Sequence, residues 1–463
     1  MKSISCSYPE KNCRRVRRPW QDIKIVMIAL TALASFQFSF SQVQNLDSGV
    51  KGELIDEIVM LIEGKYVFPE VGSEIAEYIQ NRNKEGAYAK VTSIQEFIQE
   101  VTNDLQSVNK DAHLGLVRRR GSRDSGASQE EMIKNFFLKQ SFFQNFGFKK
   151  VDRLLGNVGY IVLDEFSYLE MDGKMVGEET ARAVMQVMAN TYALILDLRD
   201  NFGGREEMAL LLMDYFFESP THVLTNKSKS GEEGQIWTEG KNKIVGMADI
   251  PIYILTSHHT VSGGEMFAYV MKNRNRATII GEKTRGAAHK THLFSLKSAE
   301  IDLAIPLSTT IDPLTGTDWE GKGVEPDIAV SSGKAFDVAY KMALVEMMQG
   351  DVDEFQQIEI DWTLMEIEGN VNPSILNESS IQEYVGVFED RNSFLKDGVL
   401  CYQKMDQQVY ELAPMSKDLF SFVDQGMFFV RIRFTRDQTG LINKMFMIYD
   451  TGKEVEFSKT VNQ

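Results

Sequence analysis

Apolar side chains recur with helical spacing over the first part of the chain. Leu54, Ile58, Leu61 and Ile62 share one face, and Ile94, Phe97, Ile98, Val101 and Leu105 form a stripe behind Ser93 and Glu96, which stand at capping-box spacing. The pattern predicts a helical region over 42–120. Gly121 to Gln129 is polar and rich in Ser and Gly, which reads as a mobile loop inside a linker or cap segment over 121–156. Over 157–345 the period changes. Val158–Val162, Ala193–Leu198, Ile252–Leu255 and Ala277–Ile280 are short apolar runs of the kind that make buried strands, separated by amphipathic stretches at Gly177–Met188, Glu206–Phe217 and Gly264–Met271. Strands alternating with helices predict an α/β domain with parallel strands at its centre. An acidic linker over 346–380 leads to 381–463. There Val430, Ile432 and Phe434 alternate with Arg431, Arg433 and Thr435, and Asp397-Gly398, Asp437–Gly440 and Asp450–Gly452 mark turns. This predicts a small antiparallel β domain.

The N-terminus reads as a leader. Residues 1–41 carry seven basic and two acidic side chains, and the basic stretch runs into the apolar Ile25–Phe40, 16 residues long. A membrane-spanning helix needs about 20 mostly apolar residues. The order charged, apolar, small predicts a secretory signal over 1–41 with cleavage near Ser41, and hence an exported, periplasmic or extracellular protein with no membrane span after cleavage. No Cys stands at the end of the stretch to take a lipid. Cys6 and Cys13 would leave with the leader, so Cys401 alone remains and no internal disulfide is expected.

Composition narrows the function. With 43% hydrophobic and 25% charged residues in 463, the chain can bury large cores, which excludes disordered and disulfide-stapled classes. The formal net charge is −16, and removing the +5 of the leader leaves −21 on the body. Such a body is repelled by phosphate backbones, so no nucleic-acid partner is expected.

Three segments carry candidate chemistry. In Pro251 to Asn273 a buried strand ends at Thr256, and Ser262 follows a short loop at the start of a helix, whose first N–H groups lack intrahelical acceptors. A serine there can attack a carbonyl while the Gly263 N–H receives the developing oxyanion. The simpler role of Ser262, on this segment alone, is helix N-cap. Ala193 to Gly204 is a second strand running into paired glycines. Gly203 or Gly204 at the same sheet rim can supply a second oxyanion donor, or form a plain tight turn. Asp318 to Asp327 places Glu320 beside glycines and Trp319, where a carboxylate can orient an imidazole. The candidate bases are His113, His222, His258, His259, His289 and His292. None forms His-Glu-x-x-His or a Cys/His cluster, so no metal and no cofactor are expected. Thr260-Val-Ser-Gly-Gly264 is not Gly-x-Ser-x-Gly, which argues against an α/β-hydrolase elbow.

These segments, with Tyr66-Val-Phe-Pro69, Asp111-Ala-His113, Gly159-Tyr-Ile161, Asp197 to Gly204, Thr256 to Tyr269, Gly281-Glu-Lys-Thr-Arg-Gly286, Trp319 to Val324 and Pro326-Asp327, resemble the carboxy-terminal processing and tricorn-type serine peptidases. The nearest branch is similar to interphotoreceptor retinoid-binding protein. The resemblance covers about residues 50 to 335 and implies a catalytic core with the βα spiral sheet of crotonase-like and ClpP-like folds. It also implies Ser262 as nucleophile and a peptide or protein substrate. The processing branch uses a lysine base after the Gly-Glu-x-Thr motif. Here that position is Ala287, and Lys290 follows out of register. The tricorn-type pattern instead maps onto His113 as base and Glu320 as its orienting carboxylate. Too few residues separate His113 from Asn157 for the PDZ module that many relatives insert. The rival reading is a non-catalytic protein binding an apolar ligand or a peptide on the same fold. The C-terminal β domain lies outside the resemblance.

Overall fold

The computed structural model describes residues 46–111, 113–119, 138–371, 378–423 and 430–460. The leader over 1–41 and the Ser/Gly-rich stretch lie outside the described residues. Among those described, no helix is long and apolar enough to cross a membrane.

Three helices come first: α1 (Ser48–Lys65), α2 (Pro69–Lys84) and α3 (Ile94–Asn109). Ser93 caps α3 as its spacing predicts, its Oγ accepting the Glu96 N–H at 3.2 Å, while Glu96 reaches back to the Thr92 N–H at 3.2 Å. Lys110, in the left-handed conformation with φ 52°, turns the chain out of α3. Strand β1 (Gly115–Arg118) follows.

The central sheet contains the four expected strands and adds two edge strands, one of them from the stretch expected as a linker or cap. Strands β2 (Phe148–Leu154), β3 (Val158–Leu163), β4 (Ala193–Asp197), β7 (Ile252–Thr256), β8 (Thr278–Gly281) and β11 (Ile328–Ala329) lie in the order β11-β8-β7-β4-β3-β2, parallel except for the edge pair β2–β3. Side chains of opposite parity serve opposite faces. Leu194, Leu196, Ile252 and Ile254 pack under α4 (Val176–Val187), α5 (Glu206–Asp214) and α6 (Gly263–Asn273), while Ala193, Ile195, Tyr253 and Leu255 pack under α7 (Ser332–Met347). Burial on both faces is why these strands read as continuous apolar runs.

A second, antiparallel sheet joins β1 to β5 (His222–Ser228), β6 (Gly231–Trp237), β9 (Lys290–Ser295) and β10 (Ile301–Ile311). The apolar pattern did not announce it. β9 is largely exposed, and β10 carries Pro306 at a register shift, where a missing N–H does least harm. Ile301, Leu303 and Ile305 of β10 share one core with Leu54, Ile58 and Ile62 of α1 and Phe97, Val101 and Leu105 of α3. The N-terminal helices and this sheet are therefore packed as one layer pair.

The stretch expected as a linker contains α8 (Glu354–Val371), followed by α9 (Glu378–Gln382). Eight strands, β12 (Gly386–Phe388) to β19 (Glu454–Ser458), then form an antiparallel meander. The Thr460 N–H bonds the Val387 carbonyl at 2.8 Å beside a Phe388–Lys459 bridge, bringing the two ends close to a closed barrel. Asp397 and Gly398 make a two-residue turn with φ 51° and 81°. Ile432 and Phe434 point inward as their alternation predicts. Arg431, on the opposite face, is buried as well because α8 covers it there. Its guanidinium lies 3.7 Å from the Trp362 ring centre, and burial pulls its pKa down to about 10.

Leu303→Ala should remove about 2–5 kcal/mol of stability. In urea melts followed by circular dichroism, the N-terminal helices and the antiparallel sheet should be lost in one transition; helix loss that leaves the sheet intact would show two separate cores.

Candidate active site

The turn before α6 is fixed from several sides. The Thr260 hydroxyl donates to the Leu198 carbonyl at 2.7 Å, the Val261 N–H to the Asn201 carbonyl at 3.0 Å, and the Asn201 amide to the Leu163 carbonyl at 2.8 Å. The loops after β3, β4 and β7 are thus tied together at the carboxyl rim of the parallel sheet. Ser262 has φ 54° and ψ −115°. N-cap residues have extended backbone. A non-glycine residue at positive φ stores about 1–3 kcal/mol and persists only where its surroundings impose it.

Glu265 imposes it. This fully buried carboxylate accepts the Ser262 N–H at 2.9 Å and the Ala287 N–H at 2.8 Å on Oε2. Its Oε1 accepts the Thr284 hydroxyl and the Gly286 N–H, both at 2.5 Å. Burial raises its pKa, and the four donors pull the other way.

The paired glycines have different surroundings. Gly203, at φ 94°, donates its N–H to Asn201 Oδ1 at 2.9 Å and accepts the Phe166 N–H at 2.7 Å, so its donor is spent within its own loop. A Cβ on it would lie 2.8 Å from Ser262 Cβ. Gly204, at φ 123°, leaves the bridge to Phe166 to its neighbours, Gly203 O and Arg205 N. Its nitrogen lies 3.2 Å from where a Cβ on Gly263 would stand. Gly263, as the first residue of α6, has no intrahelical acceptor for its own N–H.

His113 and Glu320 approach from opposite ends of the sequence. His113 Nδ1 lies 3.8 Å from Glu320 Oε2, a charge-pair distance longer than a made hydrogen bond. Glu320 Oε2 accepts the Ala288 N–H at 2.5 Å and the His289 N–H at 3.1 Å. Burial raises the Glu320 pKa, but the His113 and His289 rings and the Ala288 N–H outweigh it and the carboxyl is held below its ordinary range. His113, Gly204, Ser262, Gly263, Met266 and Trp319 line one cavity of about 420 Å³. Gly203 and Glu320 are not among the lining residues; each stands directly behind one that is.

The other histidines separate. His258 pairs with Glu282 on the surface, beside His259. His222 stacks on Trp237, and His292 stands edge-on to Phe294. Lys290 reaches Glu206 at 2.8 Å on the cavity wall. His289 belongs to the site although no sequence argument had singled it out. It is almost fully buried, with Nδ1 2.8 Å from Asp111 Oδ2 and 3.7 Å from Glu320 Oε2, and Nε2 3.9 Å from Asp318 Oδ2. Burial lowers its pKa, but the Asp111 hydrogen bond and the surrounding carboxylates win and raise it. The sequence clue was its place three residues past Gly286, in the segment searched for a lysine. Asp111, His289 and Glu320 offer ligand atoms within 4.8 Å of one another. The 2.8 Å contact between His289 and Asp111 has the length of a charge-assisted hydrogen bond, and Asp111 also accepts from Tyr66 at 2.8 Å.

Glu265→Gln would turn an NH₂ group toward N–H donors. It should cost about 1–3 kcal/mol, the price of an unsatisfied buried group, and release the Ser262 backbone. Chemical denaturation together with the reactivity of Ser262 toward a fluorophosphonate checks both; unchanged stability and unchanged reactivity would contradict this role.

Comparison with known proteins places these segments. The model of peptidase family S41 matches residues 157–330, and the model for the N-terminal domain of peptidase S41 in eukaryotic IRBP matches residues 41–141. A probable CtpA-like serine protease of Staphylococcus epidermidis is 28% identical over 187 residues, covering 39% of this chain and 35% of that protein. The chloroplastic carboxyl-terminal-processing peptidase 1 of Arabidopsis thaliana is 23% identical over 179 residues, with 39% and 35% covered. The chain thus spans about a third of the length of the curated relatives it matches. The tricorn protease aligns at a TM-score of 0.42 and 13% identity, covering 66% of this chain and 37% of that one. The two S41 models together match more than half of the chain, and the chain belongs to peptidase family S41.

Proposed function

We propose that the protein is an exported serine peptidase that cleaves peptide bonds through an acyl-enzyme, with Ser262 as nucleophile, His113 as general base and Glu320 as the carboxylate that orients His113. The observation that carries this reading is the backbone of Ser262: a strained residue at a helix N-terminus, opening on the same cavity as His113, Gly204 and Gly263. Strain of this kind concentrates where a side chain must be presented.

In the proposed cycle His113 Nε2 takes the Ser262 hydroxyl proton as Oγ attacks the scissile carbonyl carbon. The carbonyl oxygen becomes an oxyanion received by the Gly263 N–H and a second amide. Gly204 fits that second place better than Gly203, whose N–H is already bonded to Asn201. Collapse expels the amine, which leaves with the proton from His113. A water activated by the same ring then releases the acid and restores Ser262. Glu320 faces Nδ1, the nitrogen that stays protonated throughout. From 3.8 Å a small movement of the ring makes the hydrogen bond, and such bonds tighten in the bound complex.

The basic and apolar order of residues 1–41 supports export with cleavage near Ser41. To the same reading belong the division at 42–120, 121–156, 157–345, 346–380 and 381–463, and a ClpP-like spiral for the core sheet.

Ser262→Ala should reduce peptide hydrolysis by a factor on the order of 10⁴ or more and abolish labelling by a fluorophosphonate, with an unchanged melting temperature. Hydrolysis by Ser262→Ala at near the wild-type rate would refute the assignment. Peptide binding by the wild-type protein without cleavage or labelling would favour a binding protein.

A further inference from the structure

The reaction as proposed uses one imidazole, yet a second, His289, is buried 3.7 Å behind Glu320. A buried imidazole with no task is usually neutral, since burial disfavours the charged ring. This one is arranged the opposite way. Its Nδ1 donates to Asp111 Oδ2 at 2.8 Å and also faces Glu320 Oε2; its Nε2 faces Asp318 Oδ2 at 3.9 Å. Phe68 covers the ring from the side, with centroids 5.5 Å apart in an edge-to-face arrangement. Three carboxylates from two segments therefore surround one ring. The next cation along the chain, Lys290, is turned away to Glu206 on α5. Tyr66 and the His113 N–H complete the shell of Asp111, at 2.8 Å and 3.0 Å.

Asp111 and Glu320 have oxygens within 4.8 Å of one another. Two like charges that close oppose each other's ionisation. If Glu320 were to take up a proton it would lose the negative charge that stabilises a charged His113 ring, and it would be a weaker acceptor for the ring N–H. The ring of His289 stands against both carboxylates at once, and its own backbone N–H bonds Glu320 as well.

We propose that His289 is a positioning residue for the reaction: held as an imidazolium between Asp111 and Glu320, it screens one carboxylate from the other and so keeps Glu320 available to orient His113. The raised pKa of His289 and the lowered pKa values of Asp111 and Glu320 agree in direction. This inference rests on the assignment of Ser262, His113 and Glu320 made above.

The sign of each substitution follows from the charges. Removing the His289 cation raises the pKa of the acidic and basic groups around it, so the acid limb of the pH–rate profile should move up. Removing the Asp111 anion, while keeping an oxygen that can accept from His289, should move that limb down or leave it in place. A purely structural hydrogen bond would make both substitutions harmful in the same direction.

The test uses the full chain and the rate of fluorophosphonate labelling from pH 5 to 9 for the wild type, His289→Gln, Asp111→Asn and the double variant. His289→Gln should shift the acid limb upward by about half to one pH unit, a roughly three- to tenfold slower reaction on that limb. Asp111→Asn should not shift it upward, and the double variant should recover most of the loss. Upward shifts of similar size in both single variants, or a double variant no better than His289→Gln, would overturn the proposal. So would a His289→Gln profile identical to wild type. If His289→Gln fails to fold, the Asp111→Asn profile decides alone: an upward shift overturns the proposal and its absence supports it. Wild-type protein unlabelled at every pH would instead bring down the peptidase assignment, and this inference with it.

Discussion

A carboxylate shut away from water must have its oxygens filled with donors, and Glu265 is filled from segments that have little else in common. One donor is the backbone of Ser262; the others come from Thr284, Gly286 and Ala287. The Thr284 hydroxyl in turn accepts the Val324 N–H at 2.7 Å, the Gly321 N–H reaches the Gly286 carbonyl at 3.0 Å, and the Trp319 ring donates to the Ala287 carbonyl at 3.0 Å. The turn that presents Ser262 and the loop that carries Glu320 are therefore parts of one hydrogen-bonded body centred on a single side chain. An unpaired charge there would be costlier than any one of these contacts is favourable, so the arrangement is all or none.

His113 reaches that body by another route. It lies between α3 and β1, and β1 pairs with β10, Gly115 opposite Ala304. The same β10 holds the apolar faces of α1 and α3. Two sheets thus meet over the cavity: the parallel sheet, whose rim carries Ser262 and the glycines, and the antiparallel sheet with its helices, which carries His113; Val223, Leu224 and Ile236 of β5 and β6 join the core of the first. The pair at 3.8 Å between His113 and Glu320 is the seam between them. A seam of this sort is where small movements of packed layers change the distance between the groups on either side.

What the sequence disclosed divides along physical lines. Strands β3, β4, β7 and β8 were legible because burial on both faces leaves unbroken apolar runs, and the cap of α3 because Ser93 and Glu96 act locally. The antiparallel sheet was not legible, since β9 is mostly exposed and Pro306 interrupts β10, so neither shows a clean period of two. The alternation puts Arg431 on the face opposite Ile432 and says nothing of what covers it; its burial depends on α8, a helix from a stretch that composition marked only as acidic. At the site, Ser262, Gly263, His113 and Glu320 could be named because each sits in a recognisable segment. The difference between Gly203 and Gly204 could not, because it turns on which N–H the Asn201 side chain takes. His289 escaped because its significance comes from Asp111, Asp318 and Glu320, and only the fold brings the first of these to the other two.

The site gathers features that each work against folding: a serine at positive φ, a carboxylate with no exposed surface, an imidazole among three acids. Their costs run in the same direction and fall within a small volume, so the surrounding scaffold must offset them. It does so with strands such as β4, buried at every position, clamped between α4 to α6 on one face and α7 on the other. Apolar packing of that kind is indifferent to the details of the rim it supports. The polar rim can hold strained and charged groups in fixed places because nothing in its own chemistry has to keep the sheet together.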